Sequence, residues 1–186
     1  LRKFAAMIRK ETKPMIIAAN KMDISSAEAN LERIKKEFPH LLIVPCSAES
    51  ELALKEAAKA KLISYRPGDT HFETTGNVSE NQKKALTFIQ ENVLKHFGST
   101  GVQNVLDSSV FTLLNHIAVF PGGLNNLVDQ YGRVLPDCFL IPKGSTALDF
   151  AFKIHTDLGN KFIRAIDVKK KQTVGKEHIL NHRDVI

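Results

Sequence analysis

Residues 13–63 carry two continuous apolar runs, each followed by a stretch whose apolar positions recur at three- and four-residue steps. KPMIIAAN (13–20) begins at a proline and ends on a polar tip, and its unbroken apolar centre predicts a fully buried strand. Ser25 and Ser26 then offer N-cap oxygens and Glu28 falls in the first turn. Ala27, Leu31, Ile34 and Phe38 line one face of an amphipathic helix that Pro39 stops. HLLIVPCSA (40–48) predicts a second buried strand, and ESELALKEAAKAKLI (49–63) a helix of strong helix formers. Strand, helix, strand, helix implies parallel strands with crossover helices. Ligands of such sheets bind beyond the carboxyl ends of the strands, where the polar clusters at 20–23 and 47–49 fall.

Further along, YRPGDTHFETTGN (65–77) is rich in turn residues. Ser79 with Gln82 fits a capping box opening a helix that runs to Phe97, where Gly98 supplies a stop. GVQNVLDSSVFTLLNHI (101–117) predicts another helix, with Val102, Val105, Leu106, Val110, Leu113 and Leu114 on one side. FPGGLNN (120–126) reads as a linker or loop, after which short strands and turns take over. These are a hairpin around Tyr131-Gly132, a helix over 144–159 capped by Ser145 or Thr146 and ended by Gly159, and strands FIRAIDV (162–168) and HILNHRDVI (178–186). The expected division is therefore 1–122, an α/β unit with a helical insertion at about 77–98, and 123–186, a small α+β unit.

Composition changes this picture little. A chain of 186 residues, 43% hydrophobic and 25% charged, can bury a core, and its longest apolar runs are too short to span a bilayer. Cys46 and Cys138 lack metal-ligand spacing and suit reduced thiols of a cytoplasmic protein. A net charge of +6 favours an anionic partner without naming one.

Asn20-Lys21-Met22-Asp23, at the end of a buried strand and ahead of a helix, has the Asn-Lys-x-Asp form, and Ser47-Ala48 tips the next strand. Together they resemble the guanine-specificity half of a GTPase domain. The chemistry suits the residue types. Guanine presents two adjacent donors, and a carboxylate is the acceptor-only group that takes both. By the resemblance Asp23 is that carboxylate, Lys21 lays its stem on the base, Asn20 reaches the base N7 and braces the loops, and Ala48 N–H meets O6 while Ser47 shapes the turn. Glu49 stands where family members often carry Lys. The phosphate apparatus is not in this sequence: no Gly-x-x-x-x-Gly-Lys-Ser/Thr occurs, and no Asp-x-x-Gly precedes the guanine motif. The expectation is the C-terminal part of a longer GTPase. Such a part alone would be catalytically inactive and would not bind GTP tightly; GTP is the nucleotide of the parent protein, and Mg2+ is held only with a missing N-terminal half of the GTPase domain.

IPKGSTALDFAFKIHTDLG (141–159), with Gly144, Thr146, Asp149, Ala151, His155, Thr156 and Gly159 in register, resembles a TGS domain of β-grasp type. A GTPase domain followed by TGS is similar to the Obg-related superfamily, in particular to archaeal relatives of its YchF-type branch. YchF proteins usually carry Asn-x-x-Glu and favour ATP, whereas this chain keeps the guanine form. The resemblance implies a P-loop GTPase fold and an RNA or ribosome partner. Over 127–186 ten Lys and Arg face seven Asp and Glu, and Lys169, Lys170 and Lys171 adjoin. Phosphate contact and a solvated hairpin tip are both open to that run. RNA contact, a capping or core hydrogen bond, and plain exposure are all open to His155. The rival to a nucleotide switch is a non-enzymatic RNA- or protein-binding scaffold with a vestigial base pocket.

Overall fold

The computed structural model describes residues 1–123, 127–128, 131–135 and 137–186. After helix α1 (Arg2–Thr12), the two apolar runs become neighbouring strands, β1 (Ile16–Ala19) and β2 (Leu42–Pro45). They pair in parallel, Ile16 opposite Leu42 and Ala19 opposite Pro45, with α2 (Ala27–Glu37) as the connection between them. The strands are half-buried rather than fully buried, because each is paired on one side only among the described residues. Ser26 is the N-cap of α2 but its hydroxyl makes no capping bond; the helix enters through the backbone bond from Ala27 N–H to Ile24 O.

Helix α3 (Ala48–Lys59) leads into β3 (Ile63–Ser64), which pairs antiparallel with β4 (Glu73–Thr74) inside the expected turn region. Two-residue strands bounded by Gly and Pro leave no periodic signal. Helix α4 (Glu80–Ile89) opens on the expected capping box: Ser79 Oγ accepts from Gln82 N–H and Gln82 Oε1 accepts from Ser79 N–H at 2.8 Å. It widens into a π-turn, Gln90–Leu94, and finishes as α5 (Lys95–Phe97) before Gly98 at φ 78°. Leu86, Ile89, Val93 and Leu94 thereby reach Leu54, Ile63 and Tyr65, forming the core of this unit. Fully burying each such aliphatic side chain contributes about 1.5–3 kcal/mol. Ser79→Ala should lower stability by ~1 kcal/mol, visible as an earlier urea midpoint with unchanged slope.

Helix α6 (Val102–Asp107) continues as a π-turn, Ser108–Leu113, and stops earlier than expected. Asn115 takes φ 49°, and β5 (His116–Val119) pairs antiparallel with β6 (Phe139–Pro142). The run Ile117, Ala118, Val119 belongs to a sheet, where continuous apolar residues are buried on both faces. The chain divides into two compact units, Leu1–Ser109 and Val110–Ile186, so β5 lies in the second. The expected linker at 120–126 and hairpin at 127–141 fall partly outside the described residues; Val128 does bridge Val134 antiparallel.

In the second unit Thr146 caps α7 (Ala147–Ile154), its Oγ1 accepting from Asp149 N–H while the Asp149 carboxylate accepts from Thr146 N–H at 2.8 Å. The expected single helix breaks at His155, which is extended (φ −160°) and caps a second helix, α8 (Thr156–Asn160). Gly159 is therefore not a stop. It is buried within α8, where a Cβ would lie 2.2 Å from the Phe152 ring. Strand β7 (Ala165–Asp167) pairs with β8 (Gln172–Val174), a strand the pattern did not predict, whereas 178–186 forms turns with single bridges, Ile179 to Thr146 and Val185 to Phe120. Ile117, Val119, Ile141, Ala147, Phe150, Val174 and Leu180 make this core. Among the described residues, no helix is long and apolar enough to cross a membrane.

Candidate functional site

The chain leaving β1 folds back onto the extension of β2. Cys46 N–H donates to Ala19 O at 2.9 Å, and Met22 N–H donates to Cys46 O at 3.2 Å. Asn20 organises the turn with one atom, its Oδ1 accepting from Lys21 N–H at 2.8 Å and from Ala48 N–H at 3.0 Å. Lys21 is held at φ 68°, a left-handed conformation uncommon for a non-glycine residue. Met22, 5% exposed, is the apolar anchor of the loop. Burial at that central position leaves Asn20 and Lys21 exposed and Asp23 half-buried at the rim.

From the other strand, Ser47 is the N-cap of α3 and is fully buried. Its hydroxyl donates to Asp23 Oδ1 at 2.7 Å, so the hydroxyl of Ser50, 2.8 Å away, must donate to Ser47. Thus the five sequence-predicted residues, Asn20, Lys21, Asp23, Ser47 and Ala48, form one hydrogen-bonded constellation across a separation of 24 to 28 residues. One expected role differs from the geometry seen: the Ala48 N–H points to Asn20 Oδ1. Asp23 opens onto a cleft of about 470 Å³ lined also by Ile24, Glu28, Phe88, His96 and Phe97, bringing the helical insertion beside the loop.

Behind Ser47 lies a polar network that the sequence did not disclose. Ser47 N–H donates to Thr100 O at 2.8 Å, and Glu51, 5% exposed, accepts from the Thr100 hydroxyl at 2.6 Å and the Tyr65 hydroxyl at 2.7 Å on the same oxygen. Ser47, Ser50, Glu51 and Leu54 share one stripe of α3, so the helical period did mark this face. Burial, then the hydrogen bond and charge of Glu51, push the Tyr65 phenol up to about 12 from 10.0. A phenol raised on folding gives stability that is complete below its unfolded value and is lost as pH rises through the folded one. Unfolding free energy should accordingly fall by about 2–3 kcal/mol between pH 10 and 12. Tyr65→Phe should flatten that part of the profile in urea titrations.

In the second unit the residues considered for RNA contact are largely engaged internally. Lys169 Nζ bonds Arg183 O, Lys170 Nζ lies 2.9 Å from Asp167 Oδ2, and His155 Nδ1 accepts from Asp157 N–H at 3.2 Å. His155 makes a capping bond while its side chain stays exposed. Lys171, at φ 52°, remains exposed.

Residues 18–122 match the family described as Obg-like GTPase YGR210-like, G4 motif-containing domain, and residues 129–186 match the TGS domain. A GTP-binding protein of Methanocaldococcus jannaschii is 49% identical over 183 residues, covering 98% of this chain and 46% of that protein. One of Schizosaccharomyces pombe is 37% identical over 145 residues, covering 72% and 35%. The crystal structure of a GTP-binding protein from Pyrococcus horikoshii superposes with a TM-score of 0.71 at 43% identity, covering 98% of this chain and 47% of that one. The chain spans about half the length, or less, of these relatives.

Proposed function

This chain belongs to the Obg-like GTPases of the YGR210-like group and carries a TGS domain, and from that membership we propose that its first unit reads the guanine base of a bound nucleotide. The observation that carries the reading is the 2.7 Å bond from Ser47 Oγ to Asp23 Oδ1, which ties the two motif clusters into one rim and aims the carboxylate. A carboxylate so held accepts guanine's N1–H and exocyclic amine together. Adenine has no such donor pair and would leave the charge uncompensated. Lys21 supplies an aliphatic stem for the base face. For Ala48 N–H to meet the base O6 it exchanges the Asn20 carbonyl for the base carbonyl, one N–H···O=C bond for another. Asn20 then keeps its bond from Lys21 N–H and gives up the one from Ala48 N–H.

The ligands a GTPase uses for phosphate and Mg2+ are not among these residues, so no phosphoryl-transfer step is assigned to them. The 186 residues alone should release no phosphate from GTP above background. In a protein of the relatives' length carrying this segment, GDP but not ADP should displace a fluorescent guanine nucleotide. Equal displacement by ADP would remove the proposal. An RNA or ribosome partner for the TGS domain is the second half of the reading; its support is the TGS match and the net charge of +6, with Lys169, Lys170 and Lys171 all exposed.

A further inference from the structure

Among the described residues, the buried His178 Nε2 has no hydrogen-bond partner and Asp167 Oδ2 is met by the Lys170 ammonium alone, at 2.9 Å, and the two residues converge on the same place. Asp167, His178 and Asp184 each offer a ligand atom within 4.8 Å of the others. They come from β7, the turn after β8 and the final turn of the chain, three segments fixed by the core of the second unit. Each carboxylate is braced through its other function. Asp167 Oδ1 accepts from Lys170 N–H at 3.0 Å, and Asp184 Oδ2 accepts from Asn181 N–H at 2.8 Å.

Charge balance makes the cluster unusual. Asp167 is 1% exposed and Asp184 7%, and buried carboxylates need compensating cations. Among the described residues, the ammonium paired with the cluster is that of Lys170, which reaches Asp167 Oδ2 at 2.9 Å from a half-exposed side chain and balances one carboxylate of the two. Yet the imidazole nitrogen facing them forms no direct bond to either. Two carboxylates and an imidazole, with ligand atoms within 4.8 Å of one another and the imidazole nitrogen unpartnered, match the donor set of a dication that accepts nitrogen as well as oxygen.

We propose that Asp167, His178 and Asp184 form a binding site for a first-row transition-metal dication of the zinc type. Lys170 sits at the entrance and competes for Asp167, so its ammonium swings outward when the metal enters. The site is independent of the guanine reading and lies wholly within the second unit.

The test is calorimetric titration of the 186-residue chain with zinc chloride, in a Cys138→Ser background that removes the exposed thiol. One equivalent should bind, with a rise in melting temperature that EDTA reverses and magnesium chloride does not reproduce. His178→Gln and Asp184→Asn should each weaken binding by ~10-fold or more. Lys170→Met should tighten it, and zinc should recover the stability that variant loses. Because a ligand variant can also perturb folding, the unmutated site is probed with cobalt(II) by NMR, where paramagnetic shifts should centre on 167, 178 and 184. Shifts centred on other histidines, equal affinity in His178→Gln, or stabilisation by magnesium alone would overturn the site. A chain that takes up no zinc would overturn it too.

Discussion

Gly101→Ala is expected to unfold most of the Leu1–Ser109 unit at temperatures where the parent chain is folded. Gly101 has φ 77°, and a Cβ there would stand 2.0 Å from Pro45 O and 2.9 Å from Cys46 Cα. The obstructing atoms are backbone of β2 and its extension, which Cys46 N–H, Met22 N–H and Ser47 N–H hold in place, so no side chain can rotate aside. The left-handed conformation alone costs about 1–2 kcal/mol, and the clash must shift the strand end as well. The total should exceed ~3 kcal/mol against a typical stability of about 5–15 kcal/mol. Gly98 is the matched control: φ is 78°, but nothing lies within 4 Å of an added Cβ. Gly98→Ala should therefore cost only ~1 kcal/mol. Urea unfolding of the two variants side by side separates close approach from backbone conformation. Equal losses would show that the contact between Gly101 and β2 is not what requires glycine.

Asp23→Asn is expected to leave the fold intact and to collapse guanine affinity in a protein of the relatives' length carrying this segment. Asparagine is isosteric and its Oδ1 can still accept from Ser47 Oγ at the 2.7 Å seen here. What changes is the outward edge, where an amide donor replaces an acceptor and meets the exocyclic amine of guanine head-on. Losing two charge-assisted bonds of about 1.5–3 kcal/mol each corresponds to on the order of 10²–10⁴ in affinity. Xanthine presents an acceptor at the position of the guanine amine, so xanthine nucleotides should gain what guanine loses. Competition of GTP against XTP for parent and variant, with melting curves beside them, provides the check. Unchanged GTP preference in a folded variant would mean that Asp23 does not face the base. A variant that no longer melts cooperatively would assign Asp23 to the framework.

The two predictions probe different layers of the same loop. Glycine at 101 lets the turn after α5 approach β2 closely, and Thr100 then receives Ser47 N–H and donates to Glu51. That support fixes the N-terminus of α3, and with it the hydroxyl that orients Asp23.

Patterning alone identified β1, α2, β2, α3 and α4, because each has an uninterrupted apolar block or a helical stripe whose period survives whatever packs on it. The capping box at Ser79 was equally legible, since a cap is a contact three residues long, whereas the cap of α7 was legible only as Ser145 or Thr146. The guanine motif and the TGS register are written directly in residue order, and that order is enough to make the family recognisable. Tertiary structure alone decided which carbonyl Ala48 N–H meets, that Met22 is the anchor beneath Asp23, that Glu51 is buried, and that Lys170 turns toward Asp167. It also ended the helix before His116 and split another at His155. The reason is one of range. Local periodicity and capping act over a few residues and are written in their order. Hydrogen bonds such as Ser47 to Asp23 or Thr100 to Glu51 close loops of 24 and 49 residues, and their partners exist only once burial has brought distant segments together.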